Sequence, residues 1–254
     1  MKKAAFLFLL FAEIAKGQSL TFQQPIAQVC PDKDGNFLVL LNNGSIKKYS
    51  PDGMLQASCK IKGITSLDAS VASRIFYYKK KKKKIGWLTP GLEFLEEREV
   101  SDLNALAPGL ACPASVREWW VTDLASRRVR RISMATDAVR VEFPLPENFD
   151  GKKMAYNNQY LFLCSRNSTL LYDFLGHFIK EFEGGDVNFL GEEFYFLQNH
   201  KLKFCNVYSS EEREIPIDSD CSSVIFLENK ILELFPEKII IASVKLPVRG
   251  RLKN

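Results

Sequence analysis

Six consecutive lysines, Lys79 to Lys84, form the densest run of charge in this sequence. What such a run does is electrostatic: it repels itself until solvent, salt or an anionic partner relieves it. A solvated hairpin tip fits it as well as a contact surface does. Other basic residues fall nearby in the pattern developed below: Lys47 and Lys48, then Arg127, Arg128, Arg130 and Arg131. Residues suited to bond-making chemistry are scarce. Only two histidines are present, His177 and His200, and they fall far apart. A Ser-His-Asp arrangement would therefore arise only by accident. Glu192-Glu193 and Glu211-Glu212 read as solvated turns. Ser50-Pro51-Asp52-Gly53 approaches the box of sialidase-type propellers but lacks its spacing and its Trp. No glycine-rich phosphate loop is present. The six cysteines, Cys30, Cys59, Cys112, Cys164, Cys205 and Cys221, include no CxxC pair. Metal ligation therefore has poor support, no cofactor is expected, and the chain is not expected to be an enzyme; an enzyme or carbohydrate-binding protein with a site assembled from scattered residues at a central channel is the alternative. The even count permits disulfides, but Cys164 and Cys205 sit in apolar runs and read as small buried hydrophobes.

The elements that position the basic residues repeat. A short apolar strand, a turn and a second strand recur every 34 to 43 residues. The first strands are Phe37–Leu41, Ile75–Tyr78, Trp119–Val121, Tyr160–Leu163, Phe194–Leu197 and Ile231–Leu234. Each is followed by a partner, as Ser45–Tyr49 follows the first and Lys84–Leu88 the second. A turn then leads to a further strand: Pro51-Asp52-Gly53, Pro90-Gly91 and Asp173-Phe174-Leu175-Gly176 are the same device. One more strand precedes each unit, as Ile26–Val29 does. Apolar runs of three to five, cut by turn signals, exclude helices of useful length.

Four short strands per unit predict an all-β fold: a single β-propeller of about six degenerate four-stranded blades, with five or seven also possible. An open two-sheet sandwich is the alternative. Ser19–Phe22 is left over at the start, and the last unit lacks a fourth strand. Pairing the two closes the ring and removes two sheet edges. In such a blade the second-to-third hairpin and the link to the next blade leave by the same side. Lys47, Lys48, Lys79, Lys80, Lys81, Lys82, Lys83, Lys84, Arg127, Arg128, Arg130 and Arg131 would then form a basic arc across three consecutive blades. Adjacent strand residues face opposite ways, so one of Trp119-Trp120, taken as Trp120, is a candidate exposed anchor beside the arc; a core position fits the pair as well. The arc suits an anionic surface, an acidic protein or anionic lipid heads, rather than nucleic acid, for which no recognition fold accompanies the charge.

Residues 1–17 read as a signal peptide: Met1-Lys2-Lys3, an apolar stretch containing Phe6-Leu7-Phe8-Leu9-Leu10-Phe11, and a small-residue cleavage site at Ala15-Lys16-Gly17. Glu13 is at odds with this, and a buried N-terminal helix fits the same residues. Residues 18–254 would be the propeller domain. The net charge of +5, with 46% hydrophobic and 26% charged residues, suits a soluble exported protein.

Leu110-Ala111-Cys112-Pro113-Ala114, Glu118-Trp119-Trp120-Val121-Thr122-Asp123, Arg128-Val129-Arg130-Arg131-Ile132 and Leu171–Gly176 together resemble small periplasmic propeller-like proteins of Bacteroidota. The Ala-Lys-Gly-Gln end of the leader resembles signal peptides of that phylum. One such family is the plug subunit that closes the periplasmic mouth of the type IX secretion translocon. The resemblance implies a periplasmic protein docked on an outer-membrane transport or translocon protein, associated with the membrane only through that partner. Lys79–Lys84 has no counterpart in the family pattern.

Overall fold

The computed structural model describes residues 15–100, 107–184, 186–190, 193–207, 212–217, 220–227 and 229–243. The leader up to Ile14, with Glu13, lies outside them, as do Glu192, Glu211 and the end of the last unit at Val244. The first strand, β1 (Ala15–Thr21), is followed by six sets of strands. The first blade is β2 (Ile26–Pro31), β3 (Phe37–Leu41), β4 (Ser45–Tyr49) and β5 (Leu55–Lys60). The second is β6 (Ser66–Asp68), β7 (Ile75–Lys79), β8 (Lys84–Leu88) and β9 (Phe94–Glu99). The third is β10 (Pro108–Pro113), β11 (Glu118–Asp123), β12 (Arg128–Ser133) and β13 (Val139–Pro144). The fourth is β14 (Lys153–Tyr156), β15 (Tyr160–Cys164), β16 (Ser168–Asp173) and β17 (Phe178–Glu183). The fifth is β18 (Asn188–Leu190), β19 (Glu193–Gln198), β20 (Lys201–Asn206) and β21 (Glu212–Pro216). The sixth has β22 (Ser223–Phe226), β23 (Lys230–Phe235) and β24 (Lys238–Ser243).

Each set forms one antiparallel four-stranded sheet, and the sixth takes β1 as its outermost strand, in the order β1-β24-β23-β22. This is a six-bladed β-propeller, closed by the leftover N-terminal strand as its sequence predicts. Gln18, Ser19, Leu20 and Thr21 pair with Ile241, Ile240, Ile239 and Lys238.

The blades are held by apolar layers between neighbours. Leu38, Leu40 and Ile46 of the first blade meet Leu67, Ile75 and Tyr77 of the second. Phe76 and Trp87 of the second meet Trp119 and Val121 of the third. Trp120 and Phe143 of the third meet Tyr156 and Leu163 of the fourth. The layers continue around the ring, and Leu232 and Ile239 of the sixth blade finally meet Phe37 and Val39 of the first. Middle strands are therefore covered on both faces, which is why β3 and β7 are buried at every residue. Trp120 is fully buried for that reason. Adjacent residues do point to opposite faces, but both faces are dry. The exposed-anchor expectation for Trp120 is corrected accordingly.

Two expectations about carboxylates and thiols also change or sharpen. Glu193 lies in strand β19 with its carboxylate 3.4 Å from Arg213, and Glu212 lies in strand β21, so neither is in a turn. None of the six cysteines forms a disulfide, and Cys164 and Cys205 are buried as anticipated.

Two outcomes follow for stability. Trp120→Ala should lower unfolding free energy by about 3–5 kcal/mol, read by chemical denaturation. A chain starting at Gln18 keeps the Gln18–Thr21 ladder and should retain the melting temperature of the intact chain. Starting after Thr21 leaves β24 as a bare edge, and size-exclusion chromatography should then show self-association.

Candidate functional site

Two rims and a channel are available for function. The turns joining second to third strands, and the links between blades, share one rim. The other rim holds the first-to-second and third-to-fourth turns.

The lysine run occupies the first rim as the β7–β8 hairpin. Lys80–Lys82 form one turn of 3₁₀ helix, closed by Lys83 at φ 51. A left-handed residue at that position is the ordinary way to end so short a turn. The backbone N–H of Lys80 donates to Thr65 Oγ1 at 3.1 Å, which ties the hairpin to the start of its own blade. Lys80, Lys81 and Lys82 are exposed, and no ion pair holds them among the described residues. Lys60 and Lys62, where the first blade ends and the link begins, are exposed on the same rim and equally unpaired; sequence reasoning passed over them. Arg127 is exposed in the equivalent turn of the third blade, with its guanidinium donating to the carbonyls of Pro146 and Glu147.

Much of the remaining predicted arc is committed to the fold. Lys79 is buried, pairs with Glu97 and lies over the Tyr77 ring at 5.3 Å. Tyr77 donates to the same Glu97 at 2.9 Å. Burial opposes the Glu97 charge, yet the Lys79 and Tyr77 hydrogen bonds outweigh it and hold the carboxyl below its ordinary value. Gly86 makes this triad possible, because a Cβ there would sit 2.3 Å from the Tyr77 ring. Lys84 lies 3.5 Å from Glu99. Arg130 bridges Asp123 at 3.1 Å and Glu142. Arg128 is 3.9 Å from Glu142. Arg131 pairs with Glu118 at 3.5 Å and covers Trp120. Lys47 lies 5.8 Å from the Phe22 ring.

Lys48 is displaced outright. It is buried, and its ammonium reaches the opposite rim, 2.9 Å from Asp32 and 3.1 Å from the Pro90 carbonyl of the second blade. The strand alternation that leaves Lys47 beside Phe22 turns Lys48 into the interface. Burial opposes ionisation of Asp32, but hydrogen bonds from Lys48 and Asn36 prevail and lower its pKa.

The channel is a cavity of about 680 Å³ lined by the innermost strand of every blade. Two carboxylates face it. Asp186 lies 2.7 Å from Lys153, whose ammonium also donates to the Val187 carbonyl at 2.7 Å. Burial alone would lower the Lys153 pKa, but Asp186 more than compensates and raises it. Asp68 has no cation within ion-pairing distance among the described residues. Its Oδ1 accepts the Ser70 N–H at 2.7 Å, and burial raises its pKa. Burial likewise raises the Cys30 and Cys112 thiols beside it, which keeps both protonated and poorly nucleophilic. Neither histidine lines this cavity. His177 is on the other rim, 2.9 Å from Asp173.

The WD40 β-propeller domain of Doa1 is similar to this chain in structure, with a TM-score of 0.62 at 12% identity over 92% of this chain and 97% of that one. Hsv2 of Kluyvelomyces marxianus gives 0.51 at 9% identity, covering 84% and 90%. BamB of Moraxella catarrhalis gives 0.47 at 11% identity, covering 91% of each. The first two similarities show the fold. No protein-family model matches this chain, and no curated protein matches it. The likeness to the translocon plug therefore rests on short motifs.

The Asp32–Lys48 pair yields a prediction. A carboxyl whose pKa is depressed by folding stabilises the fold above its unfolded value of about 4, and the contribution disappears as pH falls through the folded value. Lys48→Met should cost on the order of 3 kcal/mol at neutral pH, because it strands a buried carboxylate. The penalty should shrink as acid protonates Asp32, which denaturation at neutral and acidic pH would measure.

Proposed function

We propose that this chain is a non-catalytic docking module that presents the Lys80–Lys82 rim to an acidic surface on a protein partner. The observation that carries this reading is the contrast within the predicted arc. Most of its cations are spent on carboxylates or carbonyls of the fold, whereas Lys80, Lys81 and Lys82 are held out in solvent by an ordered turn, with Lys60 and Lys62 beside them. Three adjacent like charges without local relief are an electrostatic cost that an acidic partner removes. The rigid ring supplies a pre-organised platform, so docking orders little and loses little entropy.

The leader-like residues 1–17 support export, and the likeness to the plug of the type IX secretion translocon supports an outer-membrane transport protein as the partner. A second reading, a small-molecule site in the channel, is favoured by one observation: Asp68 faces the cavity without a paired cation.

Affinity capture from native membranes tests the first reading. The wild-type chain should retain an outer-membrane protein with an acidic exposed face, and rising salt should release it. The triple variant Lys80→Glu, Lys81→Glu, Lys82→Glu should lose it with an unchanged melting temperature, since these side chains are exposed and held by no ion pair among the described residues. Retention by the triple variant would defeat the proposal. Binding of a soluble ligand that Asp68→Asn abolishes would favour the channel instead.

A further inference from the structure

The opposite rim carries a feature that the docking reading leaves unused. Large apolar side chains remain exposed there although an ample core exists: Met54 at 70%, Phe94 at 64% and Phe178 at 57%. Their placement follows the repeat. Leu55, Phe94, Val139 and Phe178 occupy one equivalent position in four consecutive blades. Each is the first paired residue of its outermost strand, set off by a register shift from the ladder that follows, and they pair with Tyr49, Leu88, Ile132 and Tyr172 respectively. A bulge at the start of an edge strand re-aims the side chains beside it. Met54, before Leu55, and Phe174 and Leu175 in the turn before Phe178 extend the exposed set.

The fold does not require this. In the fifth blade β20 and β21 pair without a register shift, and β21 carries Arg213 and Glu214 near its start. β1 of the sixth blade begins Ala15-Lys16-Gly17-Gln18. Among the described residues the exposed apolar positions of this kind fall in an arc of four blades, and equivalent positions of a ring lie near one plane.

From this geometry we infer that the rim formed by blades one to four seats on the surface of a zwitterionic lipid bilayer, inserting Leu55, Phe94 and Phe178 at headgroup depth. A planar layer meets four blades at once, as a single peptide in a groove does not. Charge points to the lipid class. Asp52, Glu93, Asp137 and Asp173 stand along the arc, with Lys33, Arg117 and Arg140 exposed on the same rim. Asp52 pairs with Lys230 at 3.2 Å and Asp137 with Arg98 at 3.0 Å, so the arc carries little net charge: an anionic surface gains nothing there, and an uncharged one imposes no ionic penalty. The outermost strands all run from this rim to the other, so β1 also starts here, preceded in sequence by the apolar stretch around Phe6–Phe11.

Co-flotation of the purified chain with phosphatidylcholine vesicles tests this. Binding should persist at high salt and fall at least about tenfold in a Phe94→Ser, Phe178→Ser variant, since each ring is worth roughly a factor of ten in partitioning. The triple lysine-to-glutamate variant should bind these vesicles as the wild type does. Vesicles should also slow amide exchange at residues 54–55, 94–95 and 174–179. The inference is overturned by absence of binding, by binding only to anionic vesicles with loss in salt, by an unchanged Phe variant, or by exchange protection confined to the lysine rim. These readouts do not involve the protein partner, so each reading can fail alone.

Discussion

Everything in this molecule depends on a sheet being dry on both faces. A four-stranded blade is too small to bury its own apolar surface, so each lends one face to the blade before and the other to the blade after. Phe76 and Tyr77, adjacent in β7, belong to different inter-blade layers, as do Trp119 and Trp120 in β11. Such packing has no natural end until the chain returns to where it began. The ring and its closure by β1 follow from that requirement, and so does the central cavity, because wedge-shaped neighbours cannot meet on the axis.

The same constraint decides which parts of the fold can be read from sequence. Apolar runs separated by Pro, Gly and Asn turns locate the strands, because β-propensity and turn chemistry are local. The unpaired Ser19–Phe22 and a final unit short of a strand reveal the closure by simple counting. Exposure was harder to read. Trp120 was misplaced because alternation implies a wet face, and a middle strand here has none. Lys48 was misplaced because its partner, Asp32, sits in a turn of its own blade and its acceptor, Pro90, in the next. Nothing near Lys48 in sequence announces either. The apolar rim went unnoticed because Leu55, Phe94, Val139 and Phe178 look like ordinary strand residues. Only the register shows them to be equivalent, and only the outermost position leaves them wet.

Charges divide along similar lines. Asp123 accepts hydrogen bonds from the Ala107 and Ala125 N–H groups and from the Ser126 hydroxyl, and it pairs with Arg130. Burial opposes its ionisation, but these donors dominate and lower its pKa. Asp32 and Glu97 are held in the same way. Carboxylates with a depressed pKa in this protein are therefore turn fasteners and blade staples, and a strongly perturbed acid is a poor guide to function here. Among the described residues, Lys80, Lys81 and Lys82, with Lys60 and Lys62, stand exposed and unpaired on one rim, and a row of apolar side chains stands exposed on the other.

Closure through β1 also has a consequence in time. Leu20 is made by the ribosome more than 200 residues before its partner Ile239. Until then β24 does not exist, and the first blade lacks the neighbour that covers Phe37 and Val39. Five blades can stack as they appear, but the circle cannot lock until β24 has been made, and loops of that length are slow to close. During this interval the nascent protein displays an unpaired strand and two uncovered blade faces. The half-made ring is thus the aggregation-prone species, and its lifetime is set by synthesis or translocation rather than by the stability of the finished propeller.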